Sequence, residues 1–278
     1  MRTPISGRNI FQHFSPNNEY LKIHEMFYDK KAFCLKGIST NYHYSYFDIL
    51  KRNFLSWELR GSSTSVEEMM CVLQIHEGAF RGSFPKDKLL DYIEFILNAL
   101  NFVNTVMASP VLTGQNNLIG NAIRTQCYLV LDRLDAETKL LGSEVYVVYK
   151  NDIATVVSNQ QPELQKSITD YLAISNRNDL LQKGEILCSL AKALEPKEQL
   201  LKDNGFLQLC KDATFLLNKT GARHALDPND SIEAQFLAMD NSERIKWYDR
   251  GFKTVLACMA VLPYLDFKNE INDIKRNG

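Results

Sequence analysis

Apolar residues recur at helical spacing along most of the chain. Near the end, Ile245, Tyr248, Phe252, Val255, Met259 and Leu262 follow one another at steps of three and four. That spacing draws a single apolar stripe down one helix face. Asp240 followed three residues later by Glu243 is a start signal for this helix, and Pro263 predicts its end. Phe206, Leu209, Cys210, Ala213, Leu216 and Leu217 form another stripe, with Gly221 placed to stop it. Ile186, Leu187, Leu190, Ala191 and Leu194 form a third, stopped at Glu195 because Pro196 disfavours a helical residue before it.

The first half repeats the pattern. Leu89 to Val103 after Pro85, Ile123 to Leu134, and Val66 to Leu73 behind the serines at 62 to 65 all have helical periodicity. The aromatic-rich segment Tyr42 to Leu59 has no clear period. Glu144-Val-Tyr-Val-Val-Tyr-Lys150 breaks the helical run with β-branched and aromatic residues and predicts a strand. Asn151 then caps a short helix over Ile153 to Val157. The expected fold class is mainly α, a helical bundle, with at most one short strand or hairpin near residues 144–157. Residues 1–143 form an N-terminal helical region and 144–278 a second bundle. Ser158-Asn-Gln-Gln-Pro162 is the best linker candidate.

Composition narrows the class without naming a function. The chain has 278 residues, 45% hydrophobic and 23% charged, with a formal net charge of −1. These are the proportions of a folded globular protein, and the neutral balance argues against a nucleic-acid coat or a polybasic membrane binder. Met1 to Asn9 has no apolar core, and Val255 to Leu262 is the longest apolar run. A secretory leader and a spanning helix are therefore not expected, which makes a cytoplasmic location the expectation. Six cysteines stand far apart with no CxxC, as buried reduced thiols do. No two of the five histidines have metal-ligand spacing, and phosphate-loop, dinucleotide and nucleophile-elbow motifs are absent. No metal or cofactor is expected.

One polar segment carries candidate chemistry. Asn218-Lys-Thr-Gly-Ala-Arg-His-Ala-Leu-Asp-Pro-Asn-Asp230 places Lys219, Arg223, His224 and Asp227 within nine residues. A guanidinium clamps phosphate bidentately, and an imidazole moves protons near neutral pH. The competing reading is a helix–helix loop whose Asp-Pro-Asn-Asp turns the chain and caps the next helix. Tyr42, Tyr44, Tyr46 and Phe47 offer stacking surface, although core packing explains aromatic residues as well. Trp57 and Trp247 read as partly buried anchors.

The run Lys183-Gly-Glu-Ile-Leu-Cys-Ser-Leu-Ala-Lys-Ala-Leu-Glu-Pro196, then Phe215 to His224, then Met239-Asp-Asn-Ser-Glu-Arg-Ile-Lys-Trp-Tyr-Asp249, resembles the HEPN-like helical domains of bacterial abortive-infection and phage-defence proteins. The resemblance covers roughly residues 144 to 275. It implies a compact helical bundle, often dimeric, that in active members cuts RNA without metal. Such members pair an arginine with a histidine after four to six intervening residues. Arg223 matches the arginine, but the matching positions hold Pro228, Asn229 and Asp230, and His224 adjoins Arg223 instead. On this reading Arg223 steadies phosphate, His224 is the general acid and base, Asp227 orients the imidazole, and Lys219 and Asn218 touch RNA. Arg8-Asn-Ile-Phe-Gln-His13 is a literal match to the spacing, at an N-terminus expected to be mobile or strand-like. The alternative is a non-enzymatic adaptor or sensor subunit of a defence complex that binds a protein partner through its helix faces; a homo-oligomer or a protein partner from a defence operon is expected.

Overall fold

The computed structural model describes residues 14–36, 41–76, 85–108, 117–224, 226–227 and 229–277. The Arg8–His13 match lies outside them. The chain divides into two compact units, Met1–Val147 and Val148–Gly278. Both are mainly helical.

In the first unit, α1 (Pro16–Tyr28), α2 (Tyr46–Asn53), α3 (Val66–Val72), α4 (Lys86–Met107) and α5 (Asn117–Arg133) surround an apolar interior. α4 is its axis: Leu89, Ile93, Ile96, Leu97 and Leu100 are fully buried, and α1, α2 and α5 pack against it. Ser45 and Ser65 cap α2 and α3, as short polar side chains at helix starts do. Two hairpins accompany the helices. β1 (Phe33–Lys36) pairs antiparallel with β2 (Asn41–Tyr44), and β3 (Ala136–Leu141) pairs with β4 (Glu144–Tyr149) around Gly142, whose φ of +63° suits the turn. The first hairpin lies in and before the aromatic segment that has no clear sequence period. Tyr46 is buried, Phe47 stacks on Tyr28 at 4.1 Å, and Arg52 lies over the Tyr44 ring, so these residues of the cluster are packing elements. α4 side chains complete β4: Asn98 exchanges two 2.8 Å hydrogen bonds with the Val145 backbone, and Glu94 accepts from Val147 N–H at 2.7 Å.

The second unit holds α6 (Asp152–Gln160), α7 (Gln165–Leu172), α8 (Leu180–Leu194), α9 (Glu198–Asp203), α10 (Leu207–Lys219), α11 (Ser231–Ala238) and α12 (Asn241–Asn277). Their core is the set of stripes predicted from spacing: Leu187, Leu190 and Leu194 of α8, Cys210, Ala213 and Leu217 of α10, and Phe252, Val255 and Met259 of α12. Asn151 caps α6 by accepting from Ala154 N–H, and Asp230 caps α11. Ser158 to Pro162 is not a linker. It is the last turn of α6 and the start of a 3₁₀ turn, inside the unit.

Pro263 does not end the last helix. α12 runs through it to Asn277. Proline costs a helix the hydrogen bond to the residue four back, but its ring lies at the edge of the core here while Leu262 and Leu265 on either side remain buried. Burial on both sides holds the helical path. Among the described residues no helix is long and apolar enough to cross a membrane.

Buried thiols and phenols set an alkaline limit on this fold. Burial pushes the Cys258 thiol up to about 12 from its ordinary 9.0, and it raises Cys127, Tyr92 and Tyr171 as well. A raised folded value means the native state keeps protons that the unfolded chain releases. The stabilisation is whole below the ordinary thiol value and is lost as pH climbs toward the folded one. Urea midpoints are therefore expected to be flat across pH 7 to 8.5 and to fall steadily above about 9. A flat profile to pH 11 would contradict this.

Candidate functional site

The polar segment folds as a lock between helices. α10 ends at Lys219, and Gly221 turns the chain with a φ of +76°. A Cβ on Gly221 would press on Leu226 at 3.1 Å, so the turn is both left-handed and crowded. Arg223 then points back to the α8–α9 corner. Its Nε and Nη2 donate to Glu195 Oε1 at 3.1 and 2.9 Å, and its Nη1 donates to Glu198 Oε1 at 2.8 Å and Thr214 Oγ1 at 3.4 Å. The Leu-Glu-Pro helix end and the Arg-His loop are thus two halves of one ion-pair cluster.

The other predicted site residues are also engaged. Lys219 Nζ bonds Asp230 at 2.7 Å and the buried Glu233 at 3.1 Å. These bonds raise the Lys219 ammonium and hold Asp230 down at about 2, the Lys219 bond being the larger cause there. Glu233 also accepts from Asp227 N–H at 2.6 Å. The Asp227 carboxylate accepts from Asn229 N–H and Nδ2, which closes an Asx turn. The Asn218 carbonyl accepts from Gly221 N–H in the helix-ending turn. His224 is exposed and has a partner of its own. A phosphate at Arg223 would have to displace Glu195 and Glu198. The guanidinium expected to clamp phosphate is held by those two carboxylates in this fold.

A different place gathers positive charge. Lys150 follows β4, Arg177 follows the 3₁₀ turn Ile174–Asn176, Lys183 sits on α8 and Lys253 on α12. With Asp249 they line a cleft of about 330 Å³. That size lies at the small end of ligand pockets. An antiparallel bridge between Val148 and Ala173 brings Tyr149 and Lys150 to its rim. The floor is aromatic: Tyr171 and Phe252 stack at 3.9 Å and 5°.

Lys183 is the built-in cation of the cleft. Its residue is only 5% exposed, although it lies on the apolar face of α8. Its Nζ is 3.0 Å from Asp249 Oδ1 and 3.9 Å from the Tyr171 ring centroid. Tyr171 Oη donates to the same Oδ1 at 3.0 Å. Burial first, then the Asp249 charge, pushes the Tyr171 phenol far above its ordinary value, so it remains a donor. Asp249 and four cations thus line the cleft. Sequence reading missed this cluster because each cation comes from a separate element. The legible signal was Lys183 itself, a charge in register with Leu187, Leu190 and Leu194.

Among the described residues no group of three or more His, Cys, Asp or Glu side chains could hold a metal ion. No protein-family model, curated protein or solved structure matches the chain.

Proposed function

We propose that this protein is a non-enzymatic binding module of the adaptor or sensor type, and that its second unit holds a phosphate-bearing ligand in the Lys150–Lys183–Lys253 cleft. The observation that carries the reading is the contrast between two arginine and lysine sets. Arg223 and Lys219 are each held by two carboxylates, whereas Lys150, Arg177, Lys183 and Lys253 converge from separate elements on one concave cleft over the stacked Tyr171 and Phe252 rings. Phosphate recognition draws on several cations converging at a concave surface. The cleft volume suits one nucleotide-sized unit, and Tyr149, 41% exposed, adds an aromatic ring to its rim. In the phage-defence setting that the HEPN-like resemblance suggests, the cleft would read an RNA end or a free nucleotide without cutting it.

RNA and nucleotide sources separate by probe. A 5′-phosphorylated single-stranded RNA and a nucleoside monophosphate are titrated in EDTA, and the RNA is then run on a denaturing gel. Saturable binding with intact RNA is expected, identical for wild type and His224→Ala. Cleavage by the wild type that disappears in His224→Ala would restore the ribonuclease reading and overturn this one.

A further inference from the structure

We infer that the last two heptads of α12 pair in parallel with the same segment of a second copy of this chain. The segment Tyr264–Asn277 continues the helix beyond the predicted stop, and its apolar residues change face. Leu262 and Leu265 still turn inward: Leu262 is 6% exposed and Leu265 is fully buried. From there Tyr264, Phe267, Ile271 and Ile274 recur at steps of three, four and three. At about 100° per residue they share a stripe on the side opposite Leu262 and Leu265. Tyr264, Phe267 and Ile274 are 62%, 58% and 70% exposed. Three large apolar side chains in one line on a projecting helix form an unfinished surface, unlike scattered exposed leucines.

The steps are those of a coiled-coil seam, with Tyr264 and Ile271 at the first core position of each heptad and Phe267 and Ile274 at the second. The flanking charges select the occupant. Glu270 lies on one edge of the seam, and Lys268 and Lys275 lie on the other. When two such helices run parallel, the edge residue Glu270 of each chain faces Lys275 of the other, five positions on. Two symmetric Glu–Lys pairs result. When they run antiparallel, the lysine edges face each other and so do the glutamates, which like charges disfavour. A second copy in parallel thus satisfies the apolar stripe and both charged edges at once. The two-fold arrangement is self-complementary and closed. It is independent of the cleft, whose α12 residues, Asp249, Phe252 and Lys253, precede the seam in the first half of the helix.

Light scattering on purified full-length protein reads the outcome. A two-chain mass is expected for wild type, and a one-chain mass for Phe267→Asp. Glu270→Lys and Lys275→Glu are each expected to weaken the dimer about tenfold or more, and the double reversal to restore it. Because Phe267 is exposed, circular dichroism of Phe267→Asp stays at the wild-type value. A one-chain wild type, a mass of three or more, a dimer that survives Phe267→Asp, or charge reversals that fail to compensate would overturn the proposal.

Discussion

Asp249→Ala is expected to cost the second unit about 3 kcal/mol, at the low end of what removing one partner of a buried pair costs. The reason lies on the lysine side. Lys183 has a side chain only 6% exposed, and Asp249 is its ion-pair partner. Without Asp249, the ammonium keeps only the Tyr171 carbonyl at 3.5 Å and the ring face. Asp249 itself is 42% exposed, so water can approach the gap, which keeps the cost from the upper end. Lys183→Met combined with Asp249→Ala is expected to recover most of the loss, because an apolar side chain needs no counter-charge in that place. Each unit contains one tryptophan, Trp57 and Trp247. Urea unfolding followed by Trp247 fluorescence in a Trp57→Phe background reads the second unit. A double variant no more stable than Asp249→Ala would show that the pair is not what holds Lys183 inside.

The second large effect is in the first unit. Gly120→Ala is expected to destabilise it by about 3 kcal/mol, the upper range for overpacking. A Cβ at this position would overlap the Tyr46 hydroxyl and approach its ring carbon to 3.0 Å. Tyr46 is 1% exposed, bonded to Asn104 at 3.2 Å and set edge-on against Phe33 at 4.8 Å, so the ring has nowhere to move. Tyr46→Phe removes the clashing oxygen. The double variant is expected to be more stable than the sum of the single changes by about 1 kcal/mol or more. Trp57 fluorescence in a Trp247→Phe background measures it. Strict additivity would mean that α2 and α5 do not approach as closely at this point.

Much of the helical architecture was legible because it depends on spacing. The stripes of α4, α8, α10 and the first part of α12 were read at their true positions, and Asn151 and Asp230 cap where short polar side chains precede apolar runs. Three things were not legible, each for a physical reason. Pro263 is a stop signal in isolation, yet burial on both flanks carries the helix past it. β1 and β2 consist of four residues each, too short to show a period against aromatic neighbours. The surroundings of the Arg223 segment were not legible for a different reason. Local proximity of Arg223, His224 and Asp227 suggested chemistry, but an ion pair is decided by what arrives from elsewhere. Glu195 and Glu198 arrive from the α8–α9 corner and neutralise the guanidinium. The cleft has the converse history, since Lys150, Arg177, Lys183 and Lys253 are distant in sequence and meet only in the folded unit.

The most direct test compares two exposed residues under one ligand. Binding of a labelled 5′-phosphorylated single-stranded RNA is measured by anisotropy for wild type, Lys253→Glu and His224→Ala at one fixed salt concentration. Reversing the charge at the cleft is expected to weaken binding by about tenfold or more, equivalent to about 1.4 kcal/mol, while His224→Ala leaves it unchanged. Loss of binding in His224→Ala with Lys253→Glu unaffected, or no binding by wild type, would contradict the assignment.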